Sequence, residues 1–274
     1  MSLSDASLDF RQNKVIKVVT NINDHEITKL KNQYEWLCYA DLKKRWWGKH
    51  SIKIPSPMSL DNDDVAGKTY LAMERVFMKG HGSCHMYFDK RHVDAIQGFA
   101  NMNTFTGVRR SQASYLSYID KLVLRRGRKL VEVMGEDHFD LVTLTAMFID
   151  PDTVNEAVER AGCCHGDFTL DNLGETADNK LIVLDPNFYP DHWQSPILDY
   201  AWFKFSCYMH DVPLSHTYTE AAVSTGAKWF IDLMSIGCAI RASYYAHRKL
   251  KTSFTERAKQ YIHHHTNNLK QQYI

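Results

Sequence analysis

The segment His165-Gly166-Asp167-Phe168-Thr169-Leu170-Asp171-Asn172, with Asp185 standing 13 residues after Asn172, restricts this chain more than any other feature. Leu181 to Leu184 is a short apolar run between polar residues, and it reads as a buried strand that delivers Asp185 at its end. An amide oxygen and a carboxylate on neighbouring loops are hard ligands of the kind Mg²⁺ prefers. A separate carboxylate, Asp167, is then left to face a hydroxyl. The plain alternative is a polar loop whose Asp and Asn side chains cap turns. The sequence holds 14 His, 22 Asp and 13 Asn, so random placement yields roughly 0.05 H-x-D-x4-N matches, and roughly 0.004 once the later Asp is required. Chance is a poor explanation.

The rest of the chain supplies a context of mixed strands and helices. Val15-Ile16-Lys17-Val18-Val19 is an early β-branched run. Asn23 and Glu26 form a capping-box pattern, and Ile27, Leu30, Tyr34 and Leu37 recur at helical spacing. A helix is therefore expected from about Asp24 toward Trp46, ended by Gly48. Ile52 to Pro57 reads as extended, Asp61 to Asp64 as a polar turn, and Thr69 to Val76 as a buried strand. The glycines of Lys79-Gly80-His81-Gly82 mark a boundary, giving expected domains 1–79 and 80–274. Beyond it the pattern is mostly helical: Ser114 to Leu124, Asp152 to Arg160, and nearly everything from Ser195 onward. A strand-turn pair, Gly162 to Asp167 and Lys180 to Asp185, interrupts it.

The spacing of His165, Asp167 and Asn172 matches a kinase catalytic loop, in which the Asp meets the acceptor hydroxyl and the Asn holds Mg²⁺. With Asp185 and with Ser195-Pro196-Ile197-Leu198-Asp199-Tyr200-Ala201-Trp202 downstream, the chain resembles the aminoglycoside phosphotransferase and choline kinase group. The resemblance runs from about Leu71 to Phe205. It implies an α+β, two-lobed, protein-kinase-like fold with a small N-lobe of antiparallel sheet and one helix, and a larger, mainly helical C-lobe. It further implies Asp167 as catalytic base, Asn172 and Asp185 as Mg²⁺ ligands, and Lys17 as the strand lysine on the nucleotide phosphates. Glu35 would be its helix partner, with Glu26 as the alternative. Glu74 and Val76 would lie in the hinge whose backbone meets the adenine edge. Asp199 and Trp202 would brace the loop or touch substrate, and Tyr189, His192 and Trp193 would flank the site. ATP or GTP would be the co-substrate.

Two features depart from the family pattern. Only 16 residues precede Lys17, so the Gly-rich phosphate loop is expected to be missing, and Thr169-Leu170-Asp171 replaces the usual His-Pro-Gly. The expected activity is transfer of a γ-phosphate to a hydroxyl of a sugar, aminoglycoside or amino alcohol. The alternative is a kinase-like binding module without catalysis. A net charge of +1 argues against nucleic acid as partner. Six scattered cysteines without a CxxC, no apolar segment near Met1, and no span long enough for a bilayer point to a cytoplasmic protein, and the resemblance implies a small-molecule acceptor. Gly67-Lys68-Thr69 reads as a hairpin turn, and His81, Cys84, His85 and His263 to His265 as solvated or loop residues without zinc spacing. His165 reads as a buried structural residue.

Overall fold

The β-branched run around Lys17 forms β2 (Lys14–Thr20), the second strand of an antiparallel sheet. With β1 (Ser7–Phe10), β4 (Pro57–Asp63) and β5 (Lys68–Glu74), the sheet order is β1-β2-β5-β4. The computed structural model describes residues 6–20, 24–81, 92, 94–96, 131, 165–187, 196–212, 228–248 and 252–273. The chain divides into one unit comprising Met1–Phe99 with His165–Pro190, and another comprising Ala100–Cys164 with Asp191–Ile274. The expected helices at Ser114–Leu124 and Asp152–Arg160 lie outside the described residues, as do Asn23, Cys84, His85, Tyr189, His192 and Trp193.

In the first unit, α1 (Asp24–Leu42) follows β2 and opens with Asp24 and Glu26, which favour the positive end of a helix dipole. It buries Leu30, Gln33, Trp36, Leu37 and Ala40. The helix ends earlier than expected. Trp47 is buried and its indole N–H donates to the Ala40 carbonyl at 2.7 Å, satisfying one of the carbonyls a helix end leaves open. Packing of that indole turns the chain into a separate short helix, α2 (Lys44–Lys49), and Gly48 sits inside it. The chain leaves after it through Ser51, whose φ is 55°.

The expected polar turn at Asp61 to Asp64 is also displaced. Asp61, Asn62 and Asp63 belong to β4, whose edge position leaves polar side chains in water. The turn itself is one step on: Asp63 accepts the Ala66 N–H at 2.8 Å, and Gly67 takes a φ of 60° before β5 begins. Gly67-Lys68-Thr69 is thus a hairpin turn entering a strand.

A second sheet of order β3-β8-β7-β6 carries the catalytic-loop segment. It contains β3 (Ile52–Lys53), β6 (Gly80–His81), β7 (Leu173–Glu175) and β8 (Leu181–Val183). β8 pairs in parallel with β3, while β7 pairs antiparallel with β6 and β8. The hairpin of the candidate site is therefore stitched on both sides to chain more than 90 residues earlier. Leu173, Leu181, Ile182 and Val183 are at most 1% exposed, so this small sheet is core.

The second unit contributes three described helices: α3 (Pro196–Met209), α4 (Lys228–Arg248) and α5 (Thr252–Tyr273). α4 runs without a break past Ile240 and Arg241. It packs on both α3 and α5, and Leu233, Ile236 and Ile262 are buried. Buried Asp232 meets His265 at 2.5 Å, and Arg257 of α5 pairs with Asp211 after α3. An antiparallel sheet with a helix, and helices in the other unit, make the α+β class expected from the sequence. Among the described residues no helix is long and apolar enough to cross a membrane.

His165 ties the first unit together. Its ring lies edge-on to Trp36 of α1 at 5.5 Å and to Phe168 at 5.7 Å. Nε2 donates to the Leu184 carbonyl at 2.7 Å, and Nδ1 accepts the Asp167 N–H at 3.3 Å. Both bonds require the neutral ring with its proton on Nε2. Burial pushes the pKa of His165 down to about 4, against the opposing pull of Asp167, Asp185 and the two backbone bonds.

The folded ring thus titrates below its unfolded value of 6.5, and its stabilising contribution is complete above 6.5 and lost as pH falls toward 4. Urea unfolding of wild type is expected to show a loss of about 2 kcal/mol from this group between pH 7 and pH 5. His165→Gln should make that loss smaller; an identical pH dependence in the variant would show that the His165 ring protonates as readily in the fold as in the unfolded chain. Trp36→Ala should cost about 3–5 kcal/mol at pH 7 in the same assay, because a ring 1% exposed leaves a cavity.

Candidate active site

Strand alternation sends Lys17, with Val15 and Val19, to the sheet face that α1 covers. Lys17 is 8% exposed. Its Nζ lies 2.6 Å from Asp185 Oδ1 and 3.2 Å from Gln33 Oε1. The strand lysine and the candidate metal carboxylate, 168 residues apart in sequence, are thus in direct contact. Asp185 emerges from β8 with a φ of 53°, a left-handed conformation that Asp tolerates better than most residues. Burial raises its pKa, but Lys17, by charge and hydrogen bond, together with Lys29 and His165, holds it below the usual carboxylate range. Asp185 is an anion at neutral pH.

The loop before it is pinned by its own backbone. Gly166 takes a φ of 78°, which suits a residue without Cβ. The Thr169 N–H donates to the Asp167 carbonyl at 2.9 Å, and the Asn172 N–H to the Thr169 carbonyl at 3.0 Å, forming a short 3₁₀ turn at Leu170–Asn172. The Leu184 N–H donates to the Asn172 carbonyl at 2.8 Å, and the Asn187 N–H to the His165 carbonyl at 2.7 Å. These bonds fasten the Asp167 loop to the chain around Asp185.

Asn172 Nδ2 donates to the Asp167 carbonyl at 2.7 Å and to Asp167 Oδ2 at 3.2 Å. Both donor contacts go to Asp167, so the amide oxygen is the atom Asn172 offers to a cation. One amide oxygen and one ionised carboxylate are hard donors, and they fit Mg²⁺, which keeps waters and takes phosphate oxygens for the rest of its shell. Among the described residues, no group of three or more His, Cys, Asp and Glu is placed to hold a metal.

The structure does not bring Glu35 to Lys17. Glu35 is exposed, whereas Gln33 is 2% exposed and makes the contact. Two residues along a helix are about 200° apart, so both cannot face the sheet. Glu26, the alternative, stands in the first turn of α1 within 3.6 Å of His25. A signal for Gln33 was present: it falls on the Leu30–Leu37 stripe, where a polar residue needs a partner.

Glu74 ends β5, where Lys53 at 2.6 Å and the Ser56 N–H at 3.1 Å hold its carboxylate below its ordinary pKa despite burial. Its own N–H donates to the Ser56 carbonyl at 2.8 Å, and the Arg75 N–H to Asn13. Val76 follows outside any helix or strand, and among the described residues no hydrogen bond ties its backbone groups. Register places Leu8 opposite Lys17 and Phe10 opposite Val15, on the same face. Leu8 and Phe10 are 50% and 61% exposed, an apolar strip beside Lys17 that the sequence reading did not single out.

Asp199 and Trp202 belong to α3 of the second unit, 3% and 4% exposed. The Trp202 ring lies 5.2 Å from the Arg241 guanidinium of α4.

No protein-family model matches the sequence, and no curated protein does. Solved structures do match in fold. An aminoglycoside phosphotransferase in complex with GDP and kanamycin aligns over 98% of this chain and 95% of its own, with TM-score 0.63 and 12% identity. The GDP complex of a wild-type aminoglycoside 2′-phosphotransferase aligns over 98% and 94%, with TM-score 0.61 and 12% identity. A choline/ethanolamine kinase family protein from Mesorhizobium loti aligns over 98% and 86%, with TM-score 0.56 and 10% identity. The chain has the kinase-like fold seen in these aminoglycoside phosphotransferases and in the choline/ethanolamine kinase family protein.

Proposed function

We propose that this protein is a small-molecule kinase that moves the γ-phosphate of ATP or GTP to a hydroxyl of a sugar, aminoglycoside or amino-alcohol acceptor, with Mg²⁺. The observation that carries this reading is the contact of Lys17 with Asp185 at 2.6 Å beside the Asn172–Asp167 bond at 3.2 Å. Four side chains of the types phosphoryl transfer needs meet in one unit, from distant parts of the chain. The fold likeness to a phosphotransferase in complex with GDP and kanamycin supports the same reading.

Phosphoryl transfer is mainly positioning and charge neutralisation, and each residue has a role on those terms. Asp167 accepts a hydrogen bond from the acceptor hydroxyl, orients its oxygen toward the phosphorus and takes its proton as the new bond forms, while the bond from the γ-phosphorus to the bridging oxygen breaks and the nucleoside diphosphate leaves. The Asn172 amide donates to Asp167 and so fixes the direction of its carboxylate. Asn172 Oδ1 and Asp185 would hold Mg²⁺, which when bound neutralises charge on the phosphates. Lys17 binds the phosphates by its ammonium. The backbone of Glu74 to Val76 meets the base edge, and Leu8, Phe10 and Val15 supply apolar surface for its ring. Asp199 and Trp202 remain proposed loop-bracing or acceptor contacts.

Calorimetric titration with ATP and with GTP, each with and without Mg²⁺, tests the reading before any acceptor is known. Binding that depends on Mg²⁺ is expected. Asp185→Ala should abolish that dependence, whereas Asp167→Ala should keep nucleotide affinity and lower turnover by about 10²–10⁴-fold on an accepted hydroxyl. Absence of binding by both nucleotides would leave a kinase-like module without catalysis.

A further inference from the structure

Gln33 occupies the position from which a helix reaches the strand lysine, and it is neutral. It is buried at 2% exposure, and its amide is used at both ends: Oε1 accepts from Lys17 Nζ at 3.2 Å, and Nε2 donates to the Pro186 carbonyl at 3.4 Å. Pro186 directly follows Asp185. A carboxylate here would keep the first contact but oppose the Pro186 carbonyl and Asp185 with like charge. The charge count at the site is therefore lean. Among the described residues, Asp185 is the one carboxylate paired with Lys17.

We propose that Gln33 is a positioning residue that shares Lys17 with Asp185 without neutralising it, so that a cation reaching Asp185 releases Lys17 to the nucleotide phosphates. This rests on the kinase reading. In the nucleotide-free protein, a divalent cation and the Lys17 ammonium compete for one carboxylate. Phosphates relieve the competition by taking Lys17, so cation and nucleotide bind cooperatively. Gln33 keeps the lysine within reach of both partners while its own neutrality leaves the exchange open. The bond to Pro186 holds the amide against the segment that carries Asp185, so the parking place moves with the metal ligand.

The test is binding of Mn²⁺ alone to the full chain, read from the paramagnetic resonance signal of the free ion. Gln33→Glu gives Lys17 a second anion and frees Asp185, so Mn²⁺ should bind about tenfold more tightly, a change within reach of one relocated charge partner. In a Lys17→Met background, where no ammonium competes, the same substitution keeps only the direct attraction of the added charge and should raise affinity by a clearly smaller factor; the difference is the coupling between the two residues. An equal gain in both backgrounds, or no gain with Lys17 present, overturns the inference. Gln33→Met removes the acceptor, leaves Lys17 wholly to Asp185, and should weaken Mn²⁺ about threefold by the same charge argument. That variant decides the matter if Gln33→Glu folds poorly, and an unchanged or tighter Mn²⁺ affinity in it is also contrary. Wild type that binds neither Mn²⁺ nor nucleotide removes the kinase reading and this inference together. Wild type that binds both cooperatively, with unaltered cooperativity in Gln33→Glu, removes this inference alone.

Discussion

The contact of Lys17 with Asp185 is the interaction on which the first unit turns. A lysine 8% exposed is sustained only by a compensating charge, because removing one partner of a buried pair leaves the other without solvent or counterion. The pair joins β2 to the end of β8, and so requires both sheets to be formed and correctly placed. Its elements are held by separate means: β2 by pairing with β1 and β5, β8 by pairing with β3 and β7. The ion pair is a consequence of that scaffold and a constraint on it.

A second constraint lies beneath it. His165 is neutral, fully buried and bonded to backbone on both sides of the site, to Leu184 before Asp185 and to Asp167. It converts two loops into one body, since an imidazole can donate and accept at once. Trp36 and Phe168 close over the ring, so the helix that presents Gln33 and the loop that presents Asp167 share a core. Precision at the site therefore comes from packing a few residues away from it.

Much of this was legible beforehand, and the limits have physical reasons. Asp167, Asn172 and Asp185 stand out by spacing because a tight loop and a following strand are local structures. Lys17 stands out because a β-branched strand around one charged residue is also local. The residue of α1 that meets Lys17 is not local in this sense. Glu35 has the charge expected of a lysine partner, but α1 turns it to solvent, and the rotation of a helix against a sheet is decided by which side chains fill the interface. The end of α1 was likewise set by burial of Trp47 and not by Gly48. β4 was read as a turn because its acidic residues have low strand propensity, and only pairing with β5 at the sheet edge makes them a strand.

The amino-acid sequence by itself determined which chemistry is present: two acids and an amide at fixed spacing, a strand lysine, and a chain rich enough in apolar residues to bury them. Those are properties of residue type and short-range order. Tertiary structure decided which of the charged groups meet. Lys17 and Asp185 lie 168 residues apart, and their contact depends on parallel pairing of β3 with β8, for which no local pattern exists. It also decided that a glutamine, not a glutamate, stands beside the lysine, because burial in the α1–sheet interface selects the residue that faces inward, whatever its charge.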